Sequence, residues 1–245
     1  MKQLVAYITC AYPDENFTED LMLSLKDHRV DFIELGIPFS DPVADGPVIE
    51  KANLLSLKNG FKMENLFNVS KKISRQIDTF WMGYFNPFYK KGLDICMDKA
   101  QDYGIKGFII PDLPHEESKK YKKVFQDTQV SFIDFVAPTD DEQRIQTIVK
   151  NAKEFIYLVA YAGITGSGKD ENLTMVINNI RKYSDTKVFL GFGVDEKTAK
   201  EKSKNVDGVI VGSAFVKILL DEHLTNIQKI DKISKLASLI KDEIN

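Results

Sequence analysis

The sequence predicts an α/β protein folded as a single (β/α)8 TIM barrel across its 245 residues. Three observations lead there. Eight short apolar runs recur along the chain, longer amphipathic stretches separate them, and no linker or shift in composition divides the series. Continuous apolar runs suit strands buried on both faces, and strand–helix alternation makes parallel crossover units. An open doubly wound sheet is the competing architecture. The first run is not followed by a GxGxxG turn, and eight units would make an unusually wide open sheet.

The expected strands are Leu4–Thr9, Phe32–Gly36, Phe80–Tyr84, Gly107–Asp112, Ser131–Ala137, Phe155–Tyr161, Lys187–Phe192 and Gly208–Ser213. Between them, Leu93–Tyr103 and Glu116–Asp127 carry lysines and acids on one side of a helical period, and Asn226–Ile244 reads as a closing amphipathic helix. The second crossover is the longest. It has room for two helical pieces and the loop PFSDPVADGP, stiffened by Pro38, Pro42 and Pro47. A second loop, AGITGSGKDE, has the glycine-rich composition of a mobile lid.

Composition narrows the function. Net charge is −3, with no long run of like charge, so a basic face for nucleic acid is not expected. Cys10 and Cys96 fit no CxxC spacing and only three histidines are present, so two core thiols are expected, with no disulfide and no metal site. The opening MKQLVAYITC lacks the apolar length and cleavage site of a secretory signal, and no uncharged stretch approaches the ~20 residues of a membrane span. The expectation is a soluble cytoplasmic protein acting on a small molecule.

Barrel enzymes place their chemistry at the C-terminal ends of the strands. The second run, FIELG, holds one acid, Glu34; alternation puts Phe32, Glu34 and Gly36 on one face. With small Gly36 facing inward, Glu34 points into the barrel mouth, where burial raises a carboxyl pKa toward the range useful for proton transfer. A structural glutamate paired with a lysine or a backbone donor is the plainer alternative. Eleven residues on, Asp45 lies in the stiff loop and can supply a second carboxylate. Asp41 competes with it, either acid can be a turn or cap residue, and spacing does not choose between them. At the seventh and eighth run ends, Gly193 and Gly212–Ser213 precede polar or helical segments, the arrangement that binds phosphate on backbone amides; Gly166 in the second loop can add a donor. Tight βα turns would also use these glycines.

The stretch ELGIPFSDPVADGP, Glu34–Pro47, resembles the signature of the tryptophan synthase alpha subunit family. Asn86, PDLPHEES (Pro111–Ser118), AGITG (Ala162–Gly166), GFGV (Gly191–Val194) and VGSAFVKI (Val211–Ile218) extend the likeness over nearly the whole chain. The resemblance implies a lyase that splits indole-3-glycerol phosphate into indole and glyceraldehyde 3-phosphate. It implies Glu34 as catalytic acid–base, Asp45 as the carboxylate that stabilises charge at the indole nitrogen, and Tyr157 as a tyrosine near the glutamate. It further implies Thr165 and Gly166 in the closing loop, and Gly193, Gly212 and Ser213 at the phosphate. The implied partner is a beta subunit in an alpha2beta2 tetramer; it holds pyridoxal phosphate, and the alpha chain has no cofactor.

The sequence departs from the family in two places. Strand one starts by Leu4, without the helical extension common before it, and Ala160–Tyr161 stand where serine-arginine is frequent. Two other readings compete. Other phosphate-binding barrels, such as indole-glycerol-phosphate synthase or phosphoribosylanthranilate isomerase, would want an inward lysine or a Cys/Asp pair; Lys187 sits at the start of its strand. A regulatory scaffold would not need two acids in the mouth.

Overall fold

The computed structural model describes residues 1–124, 126–159 and 169–245. Its elements run β1 (Gln3–Thr9), α1 (Glu15–Asp27), β2 (Phe32–Gly36), α2 (Pro47–Lys58), α3 (Met63–Ile73), β3 (Asp78–Met82), α4 (Phe85–Lys91), α5 (Leu93–Tyr103), β4 (Gly107–Ile109), α6 (His115–Val124), β5 (Ser131–Phe132), β6 (Asp134–Val136), α7 (Glu142–Val149), β7 (Phe155–Val159), α8 (Lys169–Tyr183), β8 (Lys187–Gly191), α9 (Ala199–Lys202), β9 (Gly208–Val211), α10 (Ser213–Leu219) and α11 (Asn226–Glu243).

All strand pairings are parallel, in the order β5-β4-β3-β2-β1-β9-β8-β7-β6. The two ends of that order are one stretch of chain. Ser131–Phe132 pairs with β4 and Asp134–Val136 pairs with β7, while the Ile133 amide still donates to Phe108 at 2.9 Å. The fifth expected strand therefore closes the sheet on itself, and the architecture is the eight-unit barrel. The third and fourth strands end earlier than the apolar runs suggest. Pro111 has no N–H for the ladder and sits in a turn closed by Leu113 N–H on the Ile110 carbonyl, and Tyr84 instead precedes α4.

Alternation sorts the side chains. Leu4, Ala6, Ile8, Ile33, Leu35, Trp81 and Phe108 pack outward under α1, α3, α5 and α11; Ile156, Leu158, Val188 and Leu190 pack under α7 and α8. Helix α1 starts on Asp14, whose carboxylate accepts from the Phe17 amide, and turns Phe17, Leu21, Met22 and Leu25 to the sheet at helical spacing. Trp81 satisfies its indole N–H on the Ser70 hydroxyl at 2.8 Å, which pins α3 to β3.

Inside the barrel, four phenylalanines fill the lower section. Phe155 stacks on Phe189 at 4.5 Å between centroids and meets Phe80 edge-on at 5.2 Å; Phe32 closes against Phe80 and Phe189. This layer plugs the lower end of the barrel. The final helix ties the lower face together: Lys241 Nζ donates to Asp31 and to the Lys2 carbonyl, and Asp31 accepts from the Leu4 amide. Cys10 and Cys96 are buried and unbridged.

Removing one ring from the plug leaves a cavity that the remaining rings, fixed on three other strands, cannot collapse into. Phe155→Ala is expected to lower unfolding free energy by ~3–5 kcal/mol in urea titrations. A loss below ~1 kcal/mol would show that the layer repacks freely.

Candidate active site

Above the phenylalanine plug the interior turns polar. Tyr7 on β1 pairs in register with Glu34 on β2, and Tyr157 on β7 pairs with Phe189 on β8. All three of Tyr7, Glu34 and Tyr157 are buried, and Glu34 is only 1% exposed. The glycines ending β2 and β8 make this layer possible. A Cβ on Gly36 would stand 2.4 Å from the Tyr7 hydroxyl oxygen, and one on Gly191 would stand 2.3 Å from the Tyr157 ring. Each tyrosine thus lies across a glycine, and Phe135 stacks on Tyr157 at 4.8 Å.

Glu34 faces the interior as the alternation predicts, and among the described residues it pairs with no lysine. Its Oε1 is buried without a hydrogen-bond partner among the described residues. Burial, helped by the nearby Asp45 charge, pushes its carboxyl up to about 8. The plainer alternative, a structural glutamate paired with a lysine or a backbone donor, finds no such partner for Oε1 among the described residues.

The stiff loop after β2 decides between the two aspartates. Asp41 is exposed, bonded to its neighbour Ser40. Asp45 closes a turn, its amide donating to Pro42 at 2.9 Å, and its side chain turns inward. There it accepts from Asn53 Nδ2 at 3.2 Å and from the Tyr84 hydroxyl, while Tyr84 itself accepts from the Ala44 amide at 2.9 Å and stacks with Phe39. Burial pushes the Asp45 carboxyl up to about 6, and the bonds from Tyr84 and Asn53 hold it from rising further. Near neutrality one carboxyl keeps its proton and the other is ionised, a division suited to acid–base chemistry. Burial first, then the acids, raises both tyrosines well above the ordinary phenol: Asp45 is the stronger influence on Tyr7 and Glu34 on Tyr157. Both stay neutral donors.

The sequence reading missed Tyr7, Asn53 and Tyr84. Tyr7 sits in an ordinary apolar run, and Tyr84 was placed in a strand; nothing local marks either as facing an acid. Gly193 and Ser213 are exposed at the ends of adjacent strands β8 and β9, and Gly212 caps α10. Among the described residues, the amides of Gly193, Gly212 and Ser213 have no acceptor. Thr165 and Gly166 lie outside the described residues, as do Ala160 and Tyr161. A separate cavity of about 190 Å³ beside α6 is lined by His115, Ser118, Asp134 and Arg144 among others, and by none of the expected site residues.

Comparison with known proteins bears on this site. The family model described as tryptophan synthase alpha chain matches residues 1–245. The chain belongs to the tryptophan synthase alpha chain family. A relative of that name from Wolinella succinogenes is 56% identical, the match covering 100% of this chain and 96% of the relative. The solved tryptophan synthase subunit alpha from Campylobacter jejuni is 32% identical, with a TM-score of 0.87 over 96% of this chain and 95% of that one. A chain of tryptophan synthase from M. tuberculosis, in an aminoacrylate-bound form, is 26% identical with a TM-score of 0.87, covering 100% of this chain and 94% of that one. As a tryptophan synthase alpha chain, the protein is a lyase of tryptophan biosynthesis; the pyridoxal phosphate of the system resides in the beta subunit. Among the described residues, no helix is long and apolar enough to cross a membrane.

The Glu34 environment has a consequence for stability. A carboxyl whose folded pKa is raised is destabilising once the unfolded chain ionises. Stability contributed by its proton is full below about pH 4.5 and falls as pH rises to about 8. Glu34→Gln should therefore be as stable as wild type at pH 4 and more stable above, by a margin growing to roughly 3–5 kcal/mol near pH 8. Denaturant titrations across that range test it; a constant difference would mean that Glu34 does not titrate on folding.

Proposed function

We propose that this chain cleaves indole-3-glycerol phosphate to indole and glyceraldehyde 3-phosphate, with Glu34 and Asp45 as its catalytic residues. The observation that carries the reading is the pair of carboxyls in the mouth, Glu34 buried without a partner for Oε1 among the described residues and Asp45 half-buried and held by Asn53, with burial raising both. In the proposed step Glu34 gives its proton to indole C3. The resulting cation is stabilised by Asp45 at the ring N–H. The Glu34 carboxylate then takes the hydroxyl proton next to the scissile bond as that carbon–carbon bond breaks. Indole and the aldehyde leave, and Glu34 is protonated again, so the cycle balances without a cofactor.

Tyr157 and Tyr7 wall the indole pocket. The phosphate rests on the amides of Gly193, Gly212 and Ser213, with Thr165 and Gly166 assigned to the closing loop by family resemblance. One barrel domain spanning 1–245 acts in the cytoplasm and passes indole to a beta subunit, in an alpha2beta2 assembly. The deciding assay is indole release from indole-3-glycerol phosphate, with and without a beta subunit. No release in either condition overturns the reading.

Glu34→Gln is expected to lower turnover ~10² to 10⁴-fold while the barrel folds. Asp45→Asn should also cut turnover strongly yet bind glycerol 3-phosphate nearly as wild type does, because it serves the indole end. Asp41→Asn should be milder, its carboxylate being exposed. A larger effect at Asp41 than at Asp45 would reverse the assignment.

A Cβ on Gly212 would already lie 3.3 Å from Ile49 and Tyr7. Gly212→Leu should raise the Michaelis constant sharply by blocking phosphate approach. Ser213→Ala removes one donor among several and should do less. Equal Michaelis constants for Gly212→Leu and wild type would show that the phosphate lies elsewhere.

A further inference from the structure

The turn after β8 is held by a lysine that no sequence motif marked. Lys202, at the end of α9, sends its half-buried ammonium back onto that turn. Nζ donates to the Gly193 carbonyl at 2.7 Å and to the Phe192 carbonyl at 3.1 Å. Thr198 Oγ1 lies 3.0 Å from the same Gly193 carbonyl. Phe192 and Gly193 both adopt left-handed backbone, with φ of 78° and 68°. For Phe192, which has a Cβ, this conformation persists only where surrounding contacts impose it. The room that glycine leaves at 193 is occupied by the lysine itself, since a Cβ there would stand 2.7 Å from Nζ.

Peptide planarity turns this clamp into an effect on the opposite side of the chain. In a trans peptide the C=O and the following N–H point in opposite directions. Fixing the Phe192 carbonyl therefore fixes the Gly193 amide, and fixing the Gly193 carbonyl fixes the Val194 amide, both away from the lysine. Neither amide has an acceptor among the described residues. Two successive free N–H groups held on one side of a turn form an anion-binding concavity.

We infer that Lys202 is a positioning residue for the phosphate end of the substrate, clamping the Phe192 and Gly193 carbonyls so that the amides beyond them stay aimed at the phosphoryl oxygens. This rests on the phosphate site proposed above. Holding a flexible four-carbon side chain on two carbonyls costs rotamer entropy, which a surface lysine free in water avoids. Burial also works against the ammonium, and Asp195 and Glu201 offset that. Its charge lies on the carbonyl side of the turn, so its effect is chiefly on the orientation of the loop.

The test uses the full chain, with inorganic phosphate, glycerol 3-phosphate and indole as separate calorimetric probes, beside steady-state cleavage. Lys202→Met should weaken both phosphate probes about tenfold, the scale of one charge-assisted hydrogen bond. It should raise the Michaelis constant similarly and leave kcat within about twofold, as expected for a contact kept equally in ground and transition states. Indole affinity should not change. Lys202→Arg, which can still donate to both carbonyls, should recover most of the phosphate affinity, and Lys202→Gln gives the same reading should the methionine variant not fold. Gly212→Leu separates the two levels of the argument. If it loses phosphate while Lys202→Met binds as wild type does, the phosphate site stands and the role of Lys202 is overturned. If Gly212→Leu also binds phosphate normally, the site itself is overturned and this inference with it. Equal weakening of indole and phosphate in Lys202→Met would reduce the lysine to general structural support and overturn the proposal.

Discussion

A closed eight-unit barrel encloses an interior that side chains must fill, and the way this chain fills it governs everything above. Phe32, Phe80, Phe155 and Phe189 come from four strands and pack ring against ring across the lower section. Aromatic burial of this kind is strongly stabilising and non-directional, but edge-on and offset contacts fix each ring's place. The plug supplies a floor. The inward-facing residues two positions further along the strands, Glu34 after Phe32 and Tyr157 after Phe155, then stand on that floor and face the mouth.

On it sits a group that the hydrophobic effect alone would never select. Among the described residues Glu34 has no ionic partner, and one of its oxygens has no hydrogen bond. An unpaired buried carboxyl is tolerated because it can stay protonated, which removes the cost of burying a charge and leaves that of a neutral polar group. Asp45 is treated differently. Tyr84 and Asn53 donate to it, and its loop is held by a turn at Pro42 and by the Ala44 amide on Tyr84. Two carboxyls a short distance apart thus receive different solvation, and their protonation states separate. That separation is the chemical resource of the site.

The proposed phosphate end follows another rule. It is built from backbone, and backbone donors carry no identity that a substitution could easily alter. What fixes them is conformation: two left-handed residues after β8, a short helix opening after Gly212, and a lysine anchoring the carbonyl side of the turn. The acid end depends on which side chains are present, the phosphate end on how the chain bends.

Much of this was legible in the sequence. The eight apolar runs gave the parallel barrel, and period-two alternation put Glu34 inside, because strand geometry leaves only two faces. The second crossover shows its stiff loop and two helices, α2 and α3, as its composition suggested. The signature from Glu34 to Pro47 pointed to the family on its own. Other features needed the fold. Spacing treated Asp41 and Asp45 alike; the turn at Pro42 and the hydroxyl of Tyr84, 39 residues on from Asp45, draw only one of them inward. The fifth run reads as one strand, yet closing the ring makes it serve two neighbours and pair as β5 and β6. Gly36 reads as a small inward residue, but why it and Gly191 must be small appears only when Tyr7 and Tyr157 are seen lying across them, and Lys202 looks like any helix-end lysine until its carbonyl partners are known. Local pattern determines which face a residue takes and which segments fold as units, since those depend on backbone period and nearby neighbours. Which distant groups meet, and with what burial and protonation, is decided only when the closed barrel brings strands and loops from across the chain into one mouth.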